Sequence, residues 1–190
     1  MLDPGNVHVA QPYFISGRTG VLGVIAANAP VARLAQLGLI EPKFGNTLQA
    51  TPIKVSAARM LYAPQTSPTG GATFEILKGV GTPAVGGTGA TNHTPQRRKT
   101  TGYPVISASE TVLRVAGTDA LTATGFTPDD ATGPLAWVSV GLADVSSASG
   151  GWVPFDLCPT TLEAGEALEV RASVASTGTG ILIVAFDFVR

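Results

Sequence analysis

Glycine and proline recur so often along this chain (23 and 14 of 190 residues) that few stretches are left in which a long helix could run unbroken. Between these breakers lie short runs rich in Val, Ile, Thr and Phe, the composition of strands. Roughly eight to ten such runs occur at irregular spacing, which fits a two-sheet β architecture. No repeat of fixed period appears, so a propeller or a solenoid is excluded. The expected fold is all-β: an antiparallel β-sandwich or jelly roll with an extended N-terminal arm.

The body is expected over residues 47–190. Ile53, Val55, Ala57 and Leu61 alternate with Lys54, Ser56, Ala58 and Tyr62, the pattern of a half-buried strand, with Arg59 interrupting the apolar face. Ser67 to Gly71 reads as a turn and Ala72 to Lys78 as a returning strand with Phe74 and Ile76 on one side, which together suggest a hairpin. Residues 79–102 form a Gly/Thr/Pro-rich excursion, too long for a simple connector. Thr111 to Ala116 and Leu135 to Leu142 read as strands, and Trp152 to Leu157 as a weaker one because of Pro154. Leu168, Val170, Ala172 and Val174 alternate with Glu169, Arg171 and Ser173, predicting a strand with one wet face. After the turn Thr177 to Gly180, the run Ile181 to Val189 is apolar on both faces and belongs at the centre of a sheet. The last two strands read as a hairpin. Trp137 and Trp152 are expected in the core.

Residues 1–46 have a different character. Val7 to Ile15 and Val21 to Ala27 read as extended pieces separated by a Gly17-Arg18-Thr19-Gly20 turn. Pro30 to Gly38 has a proline and a glycine where a short helix would start and stop, with Leu34 and Leu37 on one face. Two turns are marginal without tertiary support. Tyr13, Phe14, Val21, Leu22, Val24 and Ile25 are apolar in a segment too short to bury them alone, so an assembly arm is expected here.

Charged residues make up only 13% of the chain, against about 25% in ordinary soluble domains, and the net charge is −1. Either partners cover part of the surface, or the surface is polar without charge; composition leaves both open. A near-zero net charge argues against a dedicated nucleic-acid binder. Cys158 is the single cysteine, so neither an internal disulfide nor a cysteine-based metal cage is expected. The first residues lack a basic region followed by an apolar one, so no secretory signal is read there. Val21 to Ala29 is too short to span a bilayer, and no membrane partner is expected.

Site chemistry is sparse. His8 and His93 are the only imidazoles, and neither lies in a nucleophile-elbow pattern, so ordinary surface or interface histidines are expected. Gly79-Val-Gly81 and Gly86-Gly87-Thr88-Gly89 do not end in Gly-Lys-Ser/Thr and do not open a helix, so they read as loop and not as phosphate cradles. Asp129-Asp130 offers two adjacent carboxylates, too few spaced oxygens for a calcium cage, and Thr127 before it reads as the cap of a helix-like turn. Glu163 and Glu166 flank Gly165 in a turn facing water. Asn92-His93-Thr94 matches a glycosylation acceptor without an export signal beside it. Arg97-Arg98-Lys99 is the one basic run; without interleaved aromatics it suits a solvated loop or an inter-subunit contact better than nucleic acid. No catalytic residue, cofactor or metal is expected. An exposed Trp or Tyr would instead suit a lectin-like surface.

Three segments carry a resemblance. Gly180-Ile-Leu-Ile-Val-Ala-Phe-Asp-Phe-Val-Arg190 closes a glycine-rich β body. Gln96-Arg-Arg-Lys-Thr-Thr-Gly-Tyr-Pro104 is a central polar segment, and Phe126-Thr-Pro-Asp-Asp-Ala-Thr-Gly-Pro134 an acidic turn. Over about residues 50–190 the chain resembles virion structural proteins of tailed bacteriophages, and most of all capsid decoration or cement proteins; its motifs are compositional. The resemblance implies a jelly-roll-type body, a homotrimer, the major capsid protein or other virion proteins as partners, and a place in the virion after assembly in the host cytoplasm. The candidate assembly interface is Tyr13, Phe14, Val21, Leu22, Val24, Ile25, Arg97, Arg98 and Lys99. A neck, tail or fibre component, or a carbohydrate- or receptor-binding β-sandwich, is the alternative.

Overall fold

The computed structural model describes residues 12–22, 32–39, 52–64, 72–81, 87–97, 106, 111–121, 127–129, 133–140, 153–155, 157–174 and 180–189. They form strands β1 (Pro12–Arg18), β2 (Ala32–Leu39), β3 (Ile53–Pro64), β4 (Ala72–Val80), β5 (Thr91–His93), β6 (Gln96–Arg97), β7 (Thr111–Val115), β8 (Thr127–Pro128), β9 (Ala136–Val140), β10 (Val153–Phe155), β11 (Thr160–Leu162), β12 (Glu166–Val174) and β13 (Gly180–Val189).

All pairings among the described residues are antiparallel. One sheet runs β10-β3-β13-β1-β6, with β11 also on β3; the other runs β5-β7-β2-β12-β4-β8, with β9 also on β4. Their inner faces share one core: Tyr13, Met60, Phe186 and Phe188 come from the first sheet, and Leu37, Phe74, Ile76 and Leu168 from the second. The Tyr62 and Phe74 rings meet across the two layers with centroids 5.6 Å apart. The all-β sandwich follows from this arrangement.

Among the described residues no strand pairs with the next strand in the chain. Both expected hairpins are therefore corrected. β3 and β4 lie in opposite sheets, and so do β12 and β13. The order is nested instead: β13 pairs with β1 and β3, while β12 pairs with β2 and β4. β13 is central in its sheet, as its apolar run requires.

The expected helix at Pro30 to Gly38 is a strand. Ala35 and Leu37, both fully buried, pair with Val115 and Leu113 on one side and with Val170 and Leu168 on the other. The register shifts between Val170 and Arg171, leaving Leu34 as an extra residue on β2. A bulge of this kind turns the spacing of two into three.

The same device explains Arg59. Asp187 pairs with Ala57 and Phe188 with Val55, so Ser56 is an extra residue on β3. Inward positions change phase there, from Ile53 and Val55 to Ala58, Met60 and Tyr62. Ala57 and Leu61 are half-buried and alternate with the core positions, contrary to the expected pattern. Arg59 leaves the apolar face and forms an ion pair with Asp187 at 3.0 Å. Ser56 Oγ donates to the Asp187 carbonyl at 3.2 Å, which pins the bulge.

Most of the described part of the supposed arm is woven into the sandwich. β1 and β2 each lie between two strands, and Tyr13, Ile15 and Leu22 belong to the core. A separate arm over 1–46 is thus corrected for residues 12–22 and 32–39; the remainder of that range lies outside the described residues. The reason is the length of β13, which offers hydrogen bonds from Val189 back to Gly180. The expected turn at Gly17 to Gly20 is a continuation of this pairing. Gly17 and Arg18 face Val184 and Ile183, and the Thr19 amide donates to the Leu182 carbonyl at 2.9 Å. The chain bulges at Gly20 and Val21 and rejoins at the Leu22–Gly180 bridge. Thr19 is 2% exposed, and its hydroxyl accepts from the Leu182 amide and donates to the Gly20 carbonyl.

The wet face predicted for β12 is also corrected. Glu169 is fully buried, as are its outer-face neighbours Ala167 and Leu77, which stand outside the main core cluster. Arg171 on the same face forms an ion pair with Glu75. At the end of the sandwich Lys78 spans the layers, contacting the Thr161 carbonyl at 3.0 Å and Glu166 at 2.7 Å.

Two stability experiments check this architecture. Deleting residues 181–190 removes Leu182, Val184, Phe186 and Phe188, each worth about 1.5–3 kcal/mol by burial. Against a total of about 5–15 kcal/mol the protein should not fold, and soluble β-rich protein by circular dichroism would refute the central placement. Thr19→Val strips the Leu182 amide of an acceptor and should cost about 1–3 kcal/mol in urea unfolding.

Candidate functional site

The residues expected to form an assembly interface divide into three groups. Tyr13 and Leu22 are 1% and 2% exposed and point into the core, so neither is available to a partner. Tyr13 stacks on Phe188, its cross-strand neighbour, with ring centroids 5.6 Å apart. Phe14, the next residue on β1, is half-buried on the outer face; Val21, in the bulge, is 45% exposed; Arg97 on β6 is half-buried. Across the β1–β6 pair Phe14 faces Gln96 and Tyr13 faces Arg97, so Arg97 takes Tyr13's side of the sheet and Phe14 the other, both at this edge. Val24, Ile25, Arg98 and Lys99 lie outside the described residues.

The excursion 79–102 has structure where it is described. β5 extends the sheet of β7, and β6 extends the sheet of β1. The chain changes layers between them at Thr94-Pro95, and Pro95 is buried. His93 is therefore held at the lateral edge of the sandwich and not in a free loop. It sits opposite Leu113, on the inner face of its sheet, and reaches across to Gly17 of the other layer. A Cβ built on Gly17 would stand 2.7 Å from both His93 Cδ2 and Val115 Cγ1, so glycine is needed for this approach. Thr91 Oγ1 lies 3.2 Å from His93 Nε2. Burial pushes the imidazole below its ordinary value by disfavouring the charged form. His8 lies outside the described residues.

The other candidates resolve into structural roles. Thr127 and Pro128 form β8 against Val80 and Gly79, so the helix-like turn expected there is corrected to a strand, and the Asp129 amide donates to the Lys78 carbonyl at 2.8 Å. Asp130 is outside the described residues. Glu163 and Glu166 do flank a turn, in which Gly165 has φ 82°. The Glu166 carboxylate is tied to Lys78 and accepts from the Glu163 amide at 2.8 Å. Cys158 is exposed and free. Among the described residues no group of three or more His, Cys, Asp or Glu is placed to hold a metal ion. No described helix is long and apolar enough to cross a membrane.

One surface feature was not expected. Trp137, predicted to be core, is 64% exposed, with Leu135 at 36% on the same side of β9. Ala136 occupies the inward position between them at 7%. The run Leu135 to Val140 carries apolar residues on both faces, and the smaller Ala136 takes the inward position while Trp137 faces out. Pro134, Leu135, Ala136 and Trp137 line a surface depression of about 370 Å³. Trp152 lies outside the described residues. No protein-family model, curated protein or solved structure matches the chain.

The His93 contact generates a pH dependence. Its folded-state proton affinity is lowered, so the unfolded chain binds more protons once pH falls below the ordinary imidazole value of about 6.5. The stability from this contact is present above that value and declines below it. Urea midpoints at pH 7.5 and 5.5 should fall further in the native protein than in His93→Gln, and parallel falls would remove His93 as the cause.

Proposed function

We propose that this chain is a virion structural protein that binds and stabilises a capsid shell, as a decoration or cement protein bridging subunits without covalent chemistry. The observation that carries this reading is the nested strand order. The order β1-β13-β3-β10 facing β2-β12-β4-β9, with β5, β6 and β7 added at one side, supports a jelly-roll reading of the sandwich. Viral capsid and lectin domains share that architecture. Architecture alone does not specify function. The low charge of the chain and the phage-like segments quoted above add to it.

With Tyr13 and Leu22 committed to the core, attachment falls to the β1–β6 side of the first sheet. Phe14 and Val21 supply apolar contact there, and Arg97 opens the basic run that continues through Arg98 and Lys99. A half-buried aromatic and a half-buried arginine at one edge of the sheet suit protein contacts, in which aromatic residues and Arg are enriched. The partners proposed are further copies of this chain, as a trimer, and a major capsid protein. A neck, tail or fibre location uses the same surface logic.

Light scattering on the eluted protein should return three times the 19.3 kDa chain mass, and a monomer at about 100 μM, weaker than any stable trimer, rejects the trimer. Mass spectrometry of purified particles should find the chain in stoichiometric amount. Its absence from particles rejects the virion role. Phe14→Ser with Arg97→Glu should reduce particle association by about tenfold or more while leaving the β-sheet circular dichroism signal intact.

A further inference from the structure

The outer face of the second sheet carries an aromatic platform that the attachment reading does not use. Trp137 is 64% exposed and lies directly opposite Glu75 across the β4–β9 pair. Glu75 in turn lies opposite Arg171 across the β4–β12 pair, and the two side chains form an ion pair through Arg171 Nε and Glu75 Oε1. Three adjacent strands thus set an indole, a carboxylate and a guanidinium in one row. The ion pair is held firm, at 13% and 18% side-chain exposure, while the ring beside it is open. Thr73, two residues from Glu75 on the same side of β4, adds a half-buried hydroxyl. The depression walled by Pro134 and Leu135 borders the ring.

We propose that Trp137, with Glu75 and Arg171, forms a binding platform for neutral saccharides. A pyranose ring presents a face of C–H groups that stacks on an indole, and an edge of hydroxyls that both donate and accept. The indole offers an apolar body with a polar tip, suited to such an amphipathic ligand. The carboxylate accepts from sugar hydroxyls and the guanidinium donates to them, and both contacts are charge-assisted. Their mutual pairing keeps them in place before a ligand arrives, which lowers the ordering cost of binding. A protein partner would gain from the same ring, but it would have to cover the polar row beside it, whereas a sugar edge matches that row. This platform lies on the opposite sheet from Phe14 and Arg97, so it does not rest on the attachment reading.

The test is a titration of the full chain with cellohexaose, maltohexaose and chitohexaose, followed by the indole N–H resonance of Trp137, assigned through Trp137→Phe. At least one neutral hexasaccharide should shift that resonance to saturation. Trp137→Ala should weaken binding by about tenfold or more, and Glu75→Gln should weaken it with an unchanged circular dichroism spectrum. A resonance that stays fixed for all three sugars at about 10 mM, beyond the range of even weak sites, overturns the proposal. So does a silent titration combined with loss of self-association in Trp137→Ala, which would assign the ring to protein docking.

Discussion

β13 is hydrogen-bonded along one side to β3 and along the other to β1, and β12 holds the equivalent place between β4 and β2. Among the described residues the four longest pairings all involve one of these two strands. Their inward side chains, Leu182 to Phe188 in one layer and Leu168 to Ala172 in the other, form the middle of the shared core. Among the described residues neither sheet contains a local hairpin. The lateral contacts complete this frame: Lys78 closes one end of the sandwich, and the Gly17–His93 approach closes one side.

The strand content was legible because β-branched and aromatic runs between breakers have few other ways to fold. The centrality of Ile181 to Val189 was legible for the same reason, since a run apolar on both faces has no edge position available to it. What misled was phase and partnership. Leu34 and Leu37 sit three apart, which suggests a helix face, yet Leu34 is the extra residue of a bulge in a strand. Arg59 looked misplaced until Ser56 shifted the register of β3. Alternation within a strand reports which residues share a face, but carries no information about extra residues inserted by a bulge. Pairing is harder still. A turn signal between two strands is equally compatible with a hairpin and with a crossing to the opposite layer, and this chain crosses.

The surface was read less well than the core. Apolar residues near the beginning of the sequence were assigned to a partner, but the open side of β13 buries Tyr13, Ile15 and Leu22 within the same chain. Trp137 went the other way, because a large ring in an apolar run is ordinarily buried and Ala136 took the inward position instead. Glu169, in an alternating strand that suggested a wet face, is enclosed together with Leu77 and Ala167. Each case turns on what lies above a sheet face, and that is decided by segments distant in sequence.

The nested order also bears on how the molecule is made. A ribosome releases β1 to β4 long before β12 and β13, so the first four long strands emerge with their edges exposed and their middle partners not yet synthesised. Distant pairing of this kind folds slowly and leaves unpaired edges open to aggregation. The edges of β1 to β4 that β12 and β13 cover thus stay unpaired until those two strands have emerged.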